Sequence, residues 1–250
     1  IPVCLRRLDW TVKLVVRDAG IQHELISILA ADAPYYGIAF DIGSTKVAAF
    51  LTNLESGEMI DQTGFMNPQI AVGEDIINRL SHAMHTPDNA RKLQDMLVDR
   101  INQYLQEITH KFKLDPTQLI DMVVVGNTAI HHLFCGLPIK SLGEAPYVPA
   151  IQHSLSFPAS LHDVHIAAGA HIYLPPNIAG YVGADHIAAV LATRIQDSEQ
   201  TLCLIDIGTN TEISLIHQSQ MHACSCASGP AFEGAHIQDG MRAAPGAIDQ

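Results

Sequence analysis

The feature that most constrains this chain is a short motif that occurs twice. Asp41-Ile-Gly-Ser-Thr-Lys46 and Asp206-Ile-Gly-Thr-Asn-Thr211 each put an aspartate at the end of an apolar run, then a glycine, then polar side chains. A short continuous apolar run bounded by glycine reads as a buried strand. The polar cluster after it reads as a tight turn into a second strand. Glycine lets the backbone approach an anion with no Cβ in the way. Successive turn N–H groups form an anion-binding concavity, hydroxyls donate to phosphate oxygens, and aspartates hold Mg²⁺ through its waters. One such turn is common in hairpins. Two copies, each between apolar strands, read as a phosphate clamp. Their wide separation is too long for a solenoid repeat and suits two related subdomains that face each other.

The rest of the chain arranges itself around these turns. Residues 1–34 read as the tail of an upstream domain, with a short strand over 12–16, a turn at Gly20 and an apolar element over 25–30. The segment is too short to bury a core of its own. Strands over 36–42, 47–51 and 59–65 form a meander. Thr86 followed by Pro87 signals a helix start. Leu93, Leu97, Ile101, Tyr104, Ile108 and Phe112 then recur at helical spacing as one buried stripe. Asp115 and Gln118 have the spacing of a capping box, and 121–125 reads as a buried strand ending at Gly126-Asn127-Thr128. Residues 136–180 read as a long structured excursion. A helix follows over 183–196, with Ile187, Val190 and Leu191 facing inward, and then the second strand–turn–strand unit with a third strand over 221–226.

Composition narrows the class. With 48% apolar and 16% charged residues the chain buries a sizeable core rather than remaining disordered. The 14 basic against 26 acidic residues, a net charge of −12, argue against nucleic acid as a partner. No apolar run reaches the ~18–20 residues that span a bilayer, and no signal peptide is visible; the expected location is cytoplasmic. The five cysteines are scattered and do not form a disulfide framework. Cys135 and Cys203, inside apolar runs, read as core thiols. Cys224 and Cys226 cannot alone complete a four-ligand metal site. The histidines, His131 and His132 included, read as ordinary surface or core residues.

The two turns resemble the phosphate-1 and phosphate-2 loops of the actin, sugar kinase and Hsp70 superfamily, and Gly126-Asn127-Thr128 fits its connecting motif. The likeness extends to the reductive activators of corrinoid proteins. It is carried by Asn-Pro-Gln-Ile-Ala-Val-Gly-Glu-Asp at 67–75, the run 123–132, Ala-Pro-Tyr-Val-Pro at 145–149 and the run 174–185. Gly-Pro-Ala-Phe-Glu-Gly at 229–234 and the run 240–248 complete the set.

The resemblance implies an α/β fold of the actin/sugar kinase/Hsp70-like (ribonuclease H-like) type. It implies one full lobe over residues 35–200 and the start of a second over 201–250. The start at Ile1 and the end at Gln250, inside a family run, read as cuts. It further implies ATP-dependent reduction of a corrinoid methyl-carrier protein from Co(II) to Co(I), with ATP and Mg²⁺ as cofactors. A [2Fe–2S] cluster is expected only in an N-terminal domain, since the C-x4-C-x2-C pattern of such clusters is absent here. Carried over residue by residue, Asp41, Asp206 and Glu212 hold the metal. Gly43, Ser44, Thr45, Lys46, Gly208, Thr209 and Asn210 bind phosphates. Asp185, before a predicted helix, polarises the attacking water, or else is a helix N-terminal charge. Glu233 has no derivable role. The run at 226–229 is also similar to the activators of 2-hydroxyacyl-CoA dehydratases, and a homodimer stays open as the assembly. Two other functions stay open as well: a small-molecule kinase of the same superfamily and a nucleotide-sensing docking module without hydrolysis.

Overall fold

A computed structural model describes residues 1–20, 22–208, 210–218 and 220–228. The second-loop residue Thr209, Glu233 and the runs 229–234 and 240–248 lie outside the described residues.

The centre of the molecule is a six-stranded sheet. Its first three strands are β3 (Tyr36–Ile42), β4 (Lys46–Asn53) and β5 (Met59–Met66), an antiparallel meander. Beside β3 lie β6 (Leu119–Gly126) and β8 (His171–Leu174), each parallel to its neighbour, and β7 (Leu155–Pro158) closes the far edge antiparallel to β8. The last two come from the excursion over 136–180, which therefore supplies two strands to the main sheet.

One face of this sheet is covered by α3 (Pro87–Phe112). Thr86 Oγ1 accepts the Asn89 N–H at 3.2 Å, Pro87 occupies the first turn, and Lys113 ends the helix in the left-handed region. Leu93, Leu97, Ile101, Tyr104 and Ile108 are buried in one core with Phe40, Ile42 and Leu51 of the strands. Tyr104 stands edge-on to Phe40, with ring centroids 5.8 Å apart, and its hydroxyl meets Thr63 Oγ1 at 2.7 Å. The capping box forms as the spacing predicts, with Asp115 Oδ1 accepting from Thr117 N–H and Gln118 Oε1 from Asp115 N–H.

Before the main sheet come α1 (Pro2–Arg7) and the antiparallel pair β1 (Val12–Asp18) and β2 (His23–Ala30). Ile26 packs on Ala167 and Ala170, and Ser27 Oγ donates to the Thr117 carbonyl at 2.7 Å. The pair thus docks on the main body.

Two further helices flank α3: α2 (Ile76–His85), and α4 (Thr128–Cys135), which is capped by Asn127. A short helix, α5 (Lys140–Gly143), follows. Next comes α6 (Ala184–Thr193), and then a three-stranded antiparallel sheet of β9 (Leu202–Ile207), β10 (Asn210–His217) and β11 (Gln220–Ala227). Val190 and Ile195 form a small core with Ile216, and buried His186 Nε2 shares a 2.7 Å hydrogen bond with Ser214 Oγ. Two expectations are corrected here. Leu191 is 59% exposed, because the inward stripe of α6 is narrow and runs through His186 and Val190. Cys203 is exposed, because β9 is an edge strand with one face open among the described residues. Cys135, by contrast, is partly buried, and burial pushes its thiol up to about 12.

Candidate functional site

Strands β3 and β6 run parallel, with Ile42 opposite Gly126, so the first loop and Asn127 leave the sheet at the same end. Ligands of open parallel sheets bind beyond the carboxyl ends of the strands. The loop before α6 closes on that end through Gly183. A Cβ there would lie 2.4 Å from Asn127 Cα and from the Gly126 carbonyl, so only glycine permits the approach. This contact delivers Asp185, two residues on, to the mouth of the parallel pair. The β9–β10 turn arrives from the other side.

The result is a cleft of about 280 Å³ lined by Asp41, Gly43, Ser44, Thr45, Lys46, Asn127, Asp185, Asp206, Gly208, Asn210 and Glu212. Every described residue singled out for phosphate, metal or catalysis is therefore in one place. Asn127 is an addition. Its Oδ1 caps α4 by accepting from Ile130 N–H at 2.9 Å, which in sequence reads only as a connector. A larger hollow of about 700 Å³ lies between α2, α3, α4 and α5, lined mostly by apolar residues such as Met84, Leu133, Leu137 and Ile139. It holds neither loop.

The two turns are less alike than their sequences. In the first, residues 43–46 lie between the paired Ile42 and Val47, closed by Gly43 N–H donating to the Lys46 carbonyl at 2.9 Å. In the second, residues 208–210 lie between Ile207 and Thr211, closed by Gly208 N–H donating to the Asn210 carbonyl at 3.0 Å. The second turn is one residue tighter.

Electrostatics single out the carboxylates. Burial raises Asp185 to about 7, with Asp41, Glu212 and Asp206 adding repulsion and the His186 N–H opposing it. Asp41 keeps some contact with water, yet its partial burial in the cleft and then the Asp206 charge raise it. Glu212 is raised by burial and by Asp206, against a 2.9 Å hydrogen bond donated by Ser225. Lys46 is the one cationic side chain among the described residues lining the cleft. An oxygen-only donor set with this excess of negative charge fits a hard, hydrated divalent cation. Among the described residues no three His, Cys, Asp or Glu side chains lie close enough to hold a metal directly.

A family model described as the RACo middle region matches residues 36–198. The chain belongs to the RACo family, the reductive activators of corrinoid proteins. A second model, the C-terminal ASKHA domain of RACo, matches residues 200–250. The superfamily fold expected from the two loops is the fold of the RACo family. The chain is 33% identical over 219 residues to the corrinoid activation enzyme RamQ of Eubacterium limosum, covering 88% of this chain and 37% of that one. It is 28% identical over 222 residues to a Methanosarcina barkeri reductase of a Co(II) methylated amine-specific corrinoid protein, covering 85% and 40%. A solved reductive activator for a corrinoid, iron–sulfur protein superposes with a TM-score of 0.85 at 33% identity, covering 97% of this chain and 39% of that one. The chain thus spans about two-fifths of the length of these RACo relatives. None of its described helices is long and apolar enough to cross a membrane.

Proposed function

We propose that this chain is the ATP-binding part of a protein that reduces a corrinoid methyl-carrier protein from Co(II) to Co(I). The observation that carries the reading is the convergence of both phosphate turns and four carboxylates on one cleft at the end of parallel strands. In this reading residues 1–34 belong to a preceding domain, 35–200 form the first lobe and 201–250 open the second. A homodimer and a cytoplasmic location belong to the same reading.

The roles follow from position and charge. Asp41, Asp206 and Glu212 would hold Mg²⁺, whose chemistry when bound would be to neutralise charge on the phosphate oxygens. Gly43, Ser44, Thr45 and Lys46 bind phosphate from one side and Gly208 and Asn210 from the other, with Thr209 assigned by the motif alone. Asp185, held up to about 7, exchanges a proton with water near neutral pH and orients it toward the terminal phosphate. The electron comes from elsewhere, since the sequence holds no C-x4-C-x2-C run. A [2Fe–2S] domain of the full-length protein, recharged by an external reductant, would supply one electron per cobalt. The part of this chain is to couple ATP binding to the geometry of the corrinoid partner.

The test is anaerobic reduction of a Co(II) corrinoid protein by the full-length protein with reductant, followed by the Co(I) absorption band. Co(I) formation that needs ATP is expected. Equal Co(I) yields with and without ATP, or none at all, would overturn the proposal.

A further inference from the structure

The carbonyl side of the first phosphate turn is gripped by a segment outside the motif. Asn67 Nδ2 donates to the Gly43 carbonyl at 2.9 Å, and the Asn67 backbone N–H donates to the Thr45 carbonyl at 2.9 Å. Between them, Arg79 Nη2 donates to the Ser44 carbonyl. Three successive carbonyls are thus held from one side. In a trans peptide the N–H that follows a carbonyl points the opposite way. Each grip therefore turns the next N–H, of Ser44, Thr45 and Lys46 in order, away from Asn67 and Arg79. These are the residues that line the cleft.

The grip is built of costly parts. Asn67 is 1% exposed and Arg79 fully buried. Arg79 forms no ion pair among the described residues, donates from Nε to the Gly73 carbonyl at 2.8 Å, and leaves Nη1 without a partner. A buried guanidinium held mainly by carbonyl dipoles, with only the Asp75 charge opposing the effect of burial, is expensive, and a well-packed apolar side chain would tie α2 to the sheet more cheaply. An anion bound in front of the turn would add to the negative charge that Asp75 already sets near Arg79.

We infer that Asn67 and Arg79 are positioning residues for phosphate, holding the first turn with its N–H side presented to the anion. The inference rests on the cleft being a nucleotide site.

The test uses the full chain with two variants. Asn67→Ser keeps a neutral cap of the same class for Gln69 N–H, now at 3.0 Å from Asn67 Oδ1, but is too short to reach Gly43. Arg79→Lys keeps the charge but loses the fork that spans Gly73 and Ser44. Affinity for a fluorescent ATP analogue with Mg²⁺ is read beside amide hydrogen exchange of residues 43–46 without nucleotide. Asn67→Ser is expected to weaken binding about tenfold, the equivalent of ~1.4 kcal/mol, and to speed exchange in the turn, with thermal unfolding near the parent's. Arg79→Lys is expected to weaken binding further. Faster exchange with parent-like affinity in Asn67→Ser would overturn the positioning role and leave the nucleotide reading standing. Unchanged exchange and affinity would do the same. A parent chain that binds no nucleotide would overturn both.

Discussion

Ile42 follows the first motif aspartate and is fully buried, whereas its counterpart Ile207 in the second copy is 63% exposed. The first turn closes over four residues and is gripped from behind by Asn67 and Arg79. The second closes over three, from a strand at the edge of its sheet among the described residues. The same Asp-Ile-Gly opening therefore stands in two different mechanical settings. The motif specifies the chemistry of a turn, and its stiffness comes from residues elsewhere in the chain.

The largest expected effect separates the two isoleucines. Ile42→Ala should lower stability by about 2–5 kcal/mol, and Ile207→Ala by less than about 0.5 kcal/mol, read from urea midpoints. An equal loss at both would mean that the β9 face is covered in the working protein, and would end the contrast.

Titration should pull the core around α4 and the cleft in opposite directions. His131 on α4 is buried with neither ring nitrogen hydrogen-bonded among the described residues, and burial, then His132, lower it from 6.5 to about 4. Its unfolded form binds the proton first, so stability present above pH 6.5 is lost as pH falls toward 4, by roughly 2–4 kcal/mol. Asp185 runs the other way: raised from 3.8 to about 7, it contributes stability below pH 3.8 that is lost as pH rises through 7. His131→Leu should flatten the acid limb and Asp185→Asn the neutral one, each in ligand-free unfolding curves across pH 4–8. A single change that flattened both would show the two groups to be coupled.

Smaller effects test the turns themselves. A Cβ on Gly43 would lie 2.8 Å from the Lys46 carbonyl, and one on Gly208 3.2 Å from the Asn210 carbonyl. Gly43→Ala should therefore cost about 1–3 kcal/mol and Gly208→Ala under about 1 kcal/mol, with nucleotide affinity falling in the same order. The reverse order would show the second turn to be the stiffer.

Much of this was legible in the sequence where physics is local. The strand–turn–strand units follow from apolar runs cut by glycine, and α3 from Thr86, Pro87 and a single apolar stripe. The grip of Asn67 and Arg79 was not, because polar residues over 67–79 show no period and meet the turn only through the tertiary fold. Helix α4 was missed as well, since its run from Thr128 is buried on all sides and has no polar face to set a helical rhythm. Leu191 and Cys203 were read as inward from apolar neighbours, a signal that cannot tell which face of an edge element is covered. The one-residue difference between the turns is a matter of register, which similar motifs do not reveal.

The central claim is that the two turns act together on one Mg²⁺–ATP. Calorimetric titration of the full chain with ATP, with and without Mg²⁺, tests it most directly when run beside Asp41→Asn and Asp206→Asn. The account predicts saturable, Mg²⁺-dependent binding that either substitution weakens at least about tenfold. Binding that is absent from the parent, or that survives both substitutions unchanged, would contradict it.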